Sequence, residues 1–299
     1  MTTLRDPAAR SGAAGLTLSS RDFLRLSAFI EEGYGIRMPP TKKALLESRL
    51  AQRVRALALP SFSAYCDHVL SGRDRAELVQ LVDRVTTNKT DFFREDRHFE
   101  LLVREALPAL AHAHGAGVDR ELRLWSAGCS TGEEPYTLAM VLAEAAERTP
   151  SKRFEILATD LSSRVLHHAQ EGIYAEALVQ PIPLPLRRKY LQRSVADPGV
   201  VRVRRGLRER IHFRQLNLLD RDPGIAPRMD VVFCRNVLIY FDRQVQAEIL
   251  GRLLRTLVDG GYLFLGHSES VTGLDLPIDQ VAPTVYRKRP AAPGEGPRP

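Results

Sequence analysis

The chain has 299 residues, 44% of them apolar, and a formal net charge of +7. That length is enough to bury a full core in one large domain or two, and no apolar run approaches the roughly 20 residues a bilayer span needs, so direct membrane insertion is not expected. Nothing reads as a secretory signal, and Cys66, Cys129 and Cys234 lack metal-ligand spacing, so a reduced cytoplasmic protein with no disulfide framework is expected.

Residues 1–17 and the Pro/Gly-rich stretch 290–299 read as disordered tails. Residues 18–85 carry only helical signals and are expected to form an N-terminal helical domain. Ser19 or Ser20 caps a helix running Phe23, Leu26, Phe29 and Ile30. A second helix, about Thr41–Ala58, has Leu45, Leu46, Leu50, Val54 and Leu57 on its apolar face, and short helices follow at Ser63–Ser71 and Arg73–Val85. Residues 86–120 are a linker and a connecting helix, Arg97–His114, which stops at Gly115. From residue 121 to 289 strands and helices alternate, the pattern of βαβ units on a mostly parallel sheet. The expected order is strand Leu122–Ala127, helix Tyr136–Arg148, strand Phe154–Thr159, and a helix capped by Ser162 and running to Gln170. Strands Ile211–Gln215 and Asp230–Cys234 come next. Helix Arg243–Val258 then stops at Gly260-Gly261, and strands Tyr262–Leu265 and Val285–Lys288 follow, the last antiparallel at or near an edge. Residues 172–210, with four prolines and a basic Val200–Arg205 run, interrupt the alternation as an inserted subdomain with a hairpin at Val200–Val203.

The loop after the first strand carries the most chemistry. Trp125–Tyr136 reads as a buried strand, a Gly/Ser turn and a helix start, with Thr131 and Glu134 in capping-box spacing and Pro135 in the first turn. Such a turn brings a ligand against the backbone at the carboxyl edge of the sheet. A phosphate wants bare N–H groups and a cation there. Glu133 and Glu134 would repel it, so the pair favours a cationic or donor-rich ligand, S-adenosylmethionine rather than NAD or ATP. Asp160 closes the second strand, where an acid accepts from ribose hydroxyls or caps the next helix. Asn217-Leu218 suits an adenine edge and face, or is a plain turn. Arg235 and Asn236 follow a buried strand and face the ligand cleft, while Tyr240 and Phe241 wall it or staple the next helix. Thr86–Arg94 is either a docking linker or a loop over the cleft offering Asn88, Thr90 and Arg94. Lys42, Arg49 and Arg53 share one side of the second helix, a solvated face or a docking surface for an acidic partner. His267 finds no metal or triad partner by spacing, and no metal is expected.

Taken together, Thr87–Arg94, Trp125–Tyr136, Asn217–Leu219, Phe233–Phe241 and Gly266–Glu269 resemble the chemotaxis receptor glutamate methyltransferases, the CheR family, over about Leu18–Arg287. The resemblance implies an α/β fold: a class I, Rossmann-like methyltransferase sheet after an N-terminal helical domain, with a small inserted β-subdomain. It implies transfer of methyl from S-adenosylmethionine to chemoreceptor glutamates, giving methyl esters and S-adenosylhomocysteine. Cofactor contacts are implied for Asn88, Thr90, Arg94, Glu134 (at the methionine part), Asp160 (at the ribose), Asn217, Leu218, Arg235 and Asn236, with Arg94 and Tyr240 nearest the reacting methyl. Arg49 and Arg53 would meet acidic cytoplasmic helices of chemoreceptors. Nucleic acid is not an expected partner, since no Asn/Asp-Pro-Pro-Tyr motif or nucleophilic cysteine context is present. A monomer is expected. Members that grip a receptor tail peptide have a glycine-rich hairpin loop; Ser194–Gly199 holds one glycine, which argues against tail tethering here.

Overall fold

The computed structural model describes residues 16–147, 153–194, 197–226 and 228–290. Nearly all of both expected tails, the predicted helix end at Arg148, and Val195-Ala196 of the hairpin loop lie outside the described residues. The chain divides into two units, residues up to Gly33 with Arg37–Val85, and Tyr34–Ile36 with everything from Thr86 onward.

The first unit is built from α1 (Ser20–Tyr34), α2 (Lys43–Ala56), α3 (Phe62–Leu70) and α4 (Arg75–Val85), with a 3-10 turn, Pro40–Lys42, ahead of α2. Ser19 starts α1: its hydroxyl accepts the Asp22 N–H at 3.0 Å and donates to the Asp22 carboxylate at 2.7 Å, which satisfies one orphan donor of the first turn. Phe23, Leu26, Ile30, Leu46, Leu50, Val54, Phe62, Tyr65, Val69 and Leu81 make the core. Leu45, expected on the apolar face, is 44% exposed, because the buried stripe of α2 is the narrower Leu46-Leu50-Val54 row. Arg53 forks onto the buried Glu77 at 3.1 and 2.5 Å, and the Tyr65 hydroxyl donates to the same carboxylate at 2.9 Å. Arg49 donates to the carbonyls of Arg84 and Val85, at 3.2 and 3.0 Å, where the negative end of α4 favours a cation.

The second unit begins with one long helical run: α5 (Arg97–Leu101), a π-helical turn (Leu102–Ala106) and α6 (Leu107–His114), ended by Gly115 at φ 60°. The elements that follow are β1 (Leu122–Ala127), α7 (Glu133–Glu147), β2 (Phe154–Asp160), α8 (Ser163–Glu171), β3 (Ile173–Ala175), α9 (Leu184–Tyr190), β4 (Leu191–Arg193), β5 (Val200–Val203) and α10 (Arg205–Arg208). The chain continues through β6 (Ile211–Gln215), β7 (Met229–Cys234), α11 (Arg243–Thr256), β8 (Leu257–Leu265), β9 (Ile278–Ala282) and β10 (Val285–Lys288). Seven strands form one sheet in the order β6-β2-β1-β7-β8-β10-β9, parallel from β6 through β8 and antiparallel at β10 and β9. Alternation along β1 sends Leu122 and Leu124 into one apolar layer and Trp125 and Ala127 into the other, the mark of a strand covered on both faces. β3, β5 and β4 make a separate three-stranded antiparallel sheet, the inserted subdomain.

Two expectations are corrected, and one strand of the main sheet, β9, is unexpected. Gly260-Gly261 does not end a helix ahead of a short strand. α11 stops at Thr256, and both glycines lie inside the nine-residue β8. There the β7 register jumps from Met229↔Leu257 to Val231↔Tyr262. A Cβ on Gly261 would sit 2.8 Å from the Val258 carbonyl oxygen and 3.0 Å from that of Asp230, so the pair marks a bulge with close backbone approach. β9 has no strand signature in the sequence, because its Asp279 and Gln280 break the apolar alternation on an edge strand. The Thr131–Glu134 capping box does not form: α7 starts at Glu133, and Thr131 donates to the Glu133 carboxylate at 3.0 and 2.7 Å.

Two helices of this unit start on side-chain caps. The Ser162 hydroxyl accepts from Val165 N at 3.3 Å and the Asp242 carboxylate from Val245 N at 2.9 Å. Asp242→Ala is expected to cost about 1 kcal/mol, the usual worth of such a cap, read as a lower urea midpoint with an unchanged slope.

Candidate functional site

In an open, mostly parallel sheet, ligands bind beyond the carboxyl ends of the strands. Here the loops after β2, β1, β7 and β8 meet the Thr86–Asp96 loop at that edge, through side chains that bond across loops.

The turn after β1 is pinned to β2. Gly128 N and Cys129 N donate to the Thr159 carbonyl at 2.7 and 2.9 Å, and Ser130 N donates to Asp160 Oδ2 at 2.9 Å. Asp160 Oδ1 accepts Ser162 N, also at 2.9 Å. Gly128 takes φ 80° and lies so close to Val237 that an added Cβ would collide with its Cγ2, so the backbone path needs glycine. The Ser130 hydroxyl donates to the Asn88 carbonyl at 3.0 Å, tying the Thr86–Asp96 loop to the same turn. From the inserted subdomain, the Tyr174 hydroxyl donates to the Thr131 carbonyl at 2.7 Å.

Glu134 projects from the first turn of α7 toward β7. Its Oε1 accepts the Ser126 hydroxyl at 2.7 Å and its Oε2 lies 3.6 Å from Arg235 Nη1. Burial pushes the Glu134 carboxyl above its ordinary range, while Arg235 and Ser126 pull it back. The Arg235 side chain is buried: Nη2 donates to the Arg94 carbonyl and stands 3.3 Å from Glu95 Oε2, and the guanidinium lies over the Phe99 ring at 5.5 Å. Glu95 sits at φ 56° and Phe93 at φ 55°, a left-handed conformation that non-glycine residues hold only when neighbours over-determine it. Glu95 Oε1 supplies that constraint by accepting His267 N at 3.3 Å and the Asn236 amide at 3.5 Å. The buried His98 reaches Thr284 Oγ1 through Nε2 at 3.0 Å, and burial with Arg235 nearby lowers its pKa to about 4, so it is neutral at physiological pH.

Glu269 organises the other side of the cleft. Its carboxylate accepts Asn236 N at 2.9 Å, Val237 N at 2.8 Å, Leu238 N at 2.7 Å and Gly266 N at 2.6 Å, fixing the loops after β7 and β8 to one another. Asn236 takes φ 59° there.

The residues expected at the site therefore divide by position. Arg94, Glu134, Arg235 and Asn236 belong to one bonded network with Glu95, while Asp160 and Asn88 are joined to each other through Ser130. Arg94 Nη1 donates to the Lys89 carbonyl at 3.2 Å, and the Tyr240 hydroxyl reaches the Thr87 carbonyl at 3.5 Å, so both lean on the Thr86–Asp96 loop. Thr90 is half-buried on that loop. Asn217 and Leu218 follow the edge strand β6, where Asn217 Oδ1 accepts Leu219 N at 3.0 Å in an Asx turn and Leu218 packs on the second apolar layer. Arg49 and Arg53 lie in the helical unit. Ser126, Ser130, Glu95 and Glu269 escape sequence reasoning as individual site residues, since their roles depend on side-chain partners the pattern does not show; Ser126 and Ser130 stand in the marked Trp125–Tyr136 stretch and Glu269 in Gly266–Glu269, while Glu95 stands in neither.

The donor set suits S-adenosylmethionine. Glu95, Glu133, Glu134 and Asp160 face this edge against two guanidiniums, Arg94 and Arg235, so an amine and a sulfonium are favoured over a pyrophosphate. A carboxylate at the end of β2, as Asp160 is, can accept from hydroxyl donors. Glu133, at 5% exposure, bonds Thr131, and burial raises its pKa. An acid with a raised folded pKa costs stability above that pKa and the cost fades as pH falls. Glu133→Gln is therefore expected to match or exceed the native stability near pH 8 and to lose that advantage near pH 5, in urea unfolding at both values.

Comparison with known proteins agrees with this geometry. The family description "CheR methyltransferase, SAM binding domain" matches residues 88–286, and "CheR methyltransferase, all-alpha domain" matches residues 21–86. Among curated relatives, the chemotaxis protein methyltransferase of Borreliella burgdorferi is 35% identical over 274 residues, 91% of this chain and 96% of that protein. The chemotaxis protein methyltransferase of Escherichia coli K12 is 38% identical, over 91% of this chain and 92% of that protein. Chemotaxis protein methyltransferase 2 of Pseudomonas aeruginosa is 38% identical, over 89% and 92%. The chain belongs to the CheR methyltransferase family and is an S-adenosylmethionine-dependent methyltransferase, its all-alpha domain followed by the family's cofactor-binding domain.

Proposed function

We propose that the protein methylates glutamate side chains of chemoreceptors, forming methyl esters, as a cytoplasmic monomer with no nucleic-acid partner. The observation that carries this reading is the buried Arg235, which joins the Arg94 carbonyl on the Thr86–Asp96 loop to Glu134 at the cofactor edge. Arg94 and Tyr240, both partly exposed and both resting on that loop, are then at hand for an acidic side chain from solvent.

When bound, S-adenosylmethionine supplies an electrophilic methyl on a sulfonium. Glu134 holds the amino-acid end and Asp160 the ribose hydroxyls, with Asn88, Thr90, Asn236, Asn217 and Leu218 completing the pocket. A glutamate acceptor, ordinarily titrating near about pH 4.3, arrives as an anion, so no residue here need remove a proton. Arg94 and Tyr240 orient the carboxylate for in-line attack. Charge is lost on both partners as the methyl moves, so a tight ion pair to Arg94 would stabilise the reactants more than the transition state; its role is positioning.

Acidic receptor helices are proposed to meet the basic side of α2 around Arg49 and Arg53. Because Arg53 already pairs with Glu77 and Arg49 with the end of α4, the half-exposed Lys42 and Lys43 add to that contact. Incubation with methyl-labelled cofactor, receptor cytoplasmic fragments and RNA tests the reading. Base-labile label on the receptor is expected and Arg94→Ala should lower its rate at least a hundredfold, the scale of a lost positioning contact. Label on RNA instead would overturn it.

A further inference from the structure

His267, which the sequence left without a partner, lies beside two other ligand-type side chains. Its Nε2 is 4.0 Å from Glu95 Oε2, and His98 Nδ1 is 3.6 Å from that same oxygen. All three atoms fall within 4.8 Å of one another, and the two imidazoles meet edge to face at 5.3 Å between centroids. Glu95 Oε2 and His98 Nδ1 are both buried and accept or donate no hydrogen bond among the described residues; the carboxylate oxygen has only its ion pair with Arg235 at 3.3 Å. The ring of His98 is already oriented for a ligand. Its Nε2 is held by Thr284 Oγ1 at 3.0 Å, the outer-shell contact that leaves the Nδ1 lone pair free and aimed at the cluster.

We propose that Glu95 Oε2, His98 Nδ1 and His267 Nε2 form a three-ligand site for a borderline divalent ion, Zn2+ above all. Two imidazoles and one carboxylate are a donor set for zinc and its neighbours rather than for magnesium or calcium, which take oxygen. Tetrahedral bonds of about 2.1 Å place ligand atoms about 3.4 Å apart, so the observed spacings close by a few tenths of an ångström on the carboxylate. His267, with 59% of its side chain exposed, is the arm free to make that movement. Water takes the fourth position on its open side.

Two guanidiniums face the cluster: Arg94, whose Nε is 4.0 Å from Glu95 Oε1, and Arg235, at 3.3 Å from Glu95 Oε2. An ion would take that oxygen from Arg235 and leave it to Glu134 and the Arg94 carbonyl. That exchange weakens the site, so micromolar rather than nanomolar affinity is expected, a difference of about 4 kcal/mol. It also makes the ion a brace for the left-handed backbone of Glu95, next to the methyl-transfer site.

The test uses the full chain stripped with a chelator and dialysed. Zn2+ by calorimetry and Co2+ by visible absorption should each report one ion per chain, with the intense bands of a low-coordinate cobalt–imidazole site. His267→Ala, at an exposed position, should keep the native far-ultraviolet spectrum and weaken binding at least tenfold, with Glu95→Gln giving the same loss. No binding by the native chain up to about millimolar metal, or binding unchanged in His267→Ala, would overturn the proposal; the second result would assign the ion to other histidines or cysteines.

Discussion

Glu269→Gln is expected to lower stability by about 3 kcal/mol and cofactor affinity at least tenfold, although this side chain need not touch the cofactor. The carboxylate accepts four backbone N–H groups, from Asn236, Val237, Leu238 and Gly266. Glutamine keeps the shape and one acceptor oxygen, but it turns an NH2 toward two of those donors. Each charge-assisted bond lost is worth roughly 1.5–3 kcal/mol, and the N–H groups left facing a donor stay desolvated. Asn236 would then have little to hold it at its left-handed φ of 59°, and the loops after β7 and β8 would come apart. Denaturant unfolding measures the first loss and titration with S-adenosylhomocysteine the second. Full affinity in a glutamine variant that unfolds early would show that Glu269 serves stability alone.

Arg235→Met should be worse, costing about 3–5 kcal/mol, the usual penalty for stranding a buried charge. The guanidinium lies between Glu134 and Glu95 and also holds the Arg94 carbonyl. Removing it leaves the two carboxylates with the more exposed Arg94, 4.0 Å from Glu95 Oε1, as counter-charge. Burial already pushes Glu134 up, with Arg235 pulling against it; once that pull is gone its folded pKa rises further. A carboxyl with a folded pKa above its unfolded value binds its proton more readily when folded, so its cost is largest at high pH and fades as pH falls. The gap between variant and native protein should therefore narrow from about pH 8 to pH 5, and adding Glu134→Gln to Arg235→Met should recover part of it. A gap constant with pH would mean that Arg235 acts by packing on Phe99 alone. Arg235→Lys should recover little, since a point charge lacks the fork that reaches three oxygens.

Much of the sheet is legible in the sequence because its strands are short apolar runs bounded by polar turns. Leu122–Ala127 and Ile211–Gln215 stand where the pattern puts them, and Ser162 caps the helix it is expected to cap. Failures come where tertiary partners outweigh a local rule. Gly260-Gly261 looks like a helix stop in sequence, yet the Asp230 carbonyl needs a residue without a side chain inside β8. Glu134 has capping-box spacing from Thr131, but Ser126 and Arg235 hold its oxygens more strongly than a backbone N–H would. At the site, residue types at strand ends are readable, while Glu95 and Glu269 are not, since nothing local distinguishes an acid that binds distant backbone from one in solvent.

The Thr86–Asp96 loop is made early and secured late. Arg235 lies 141 residues beyond the Arg94 carbonyl it grips, and His267 lies 172 residues beyond Glu95. During synthesis at about 5–20 residues per second, the loop waits roughly 7 to 34 seconds for its anchors, with neither anchor yet there to hold Phe93 and Glu95 in their left-handed conformation. Contacts of such long range close slowly because their loop entropy is met before they return any energy. A nascent chain ending before Met229 thus holds the first half of the cleft but nothing to lock it. The locked form of the loop becomes a property of the finished chain.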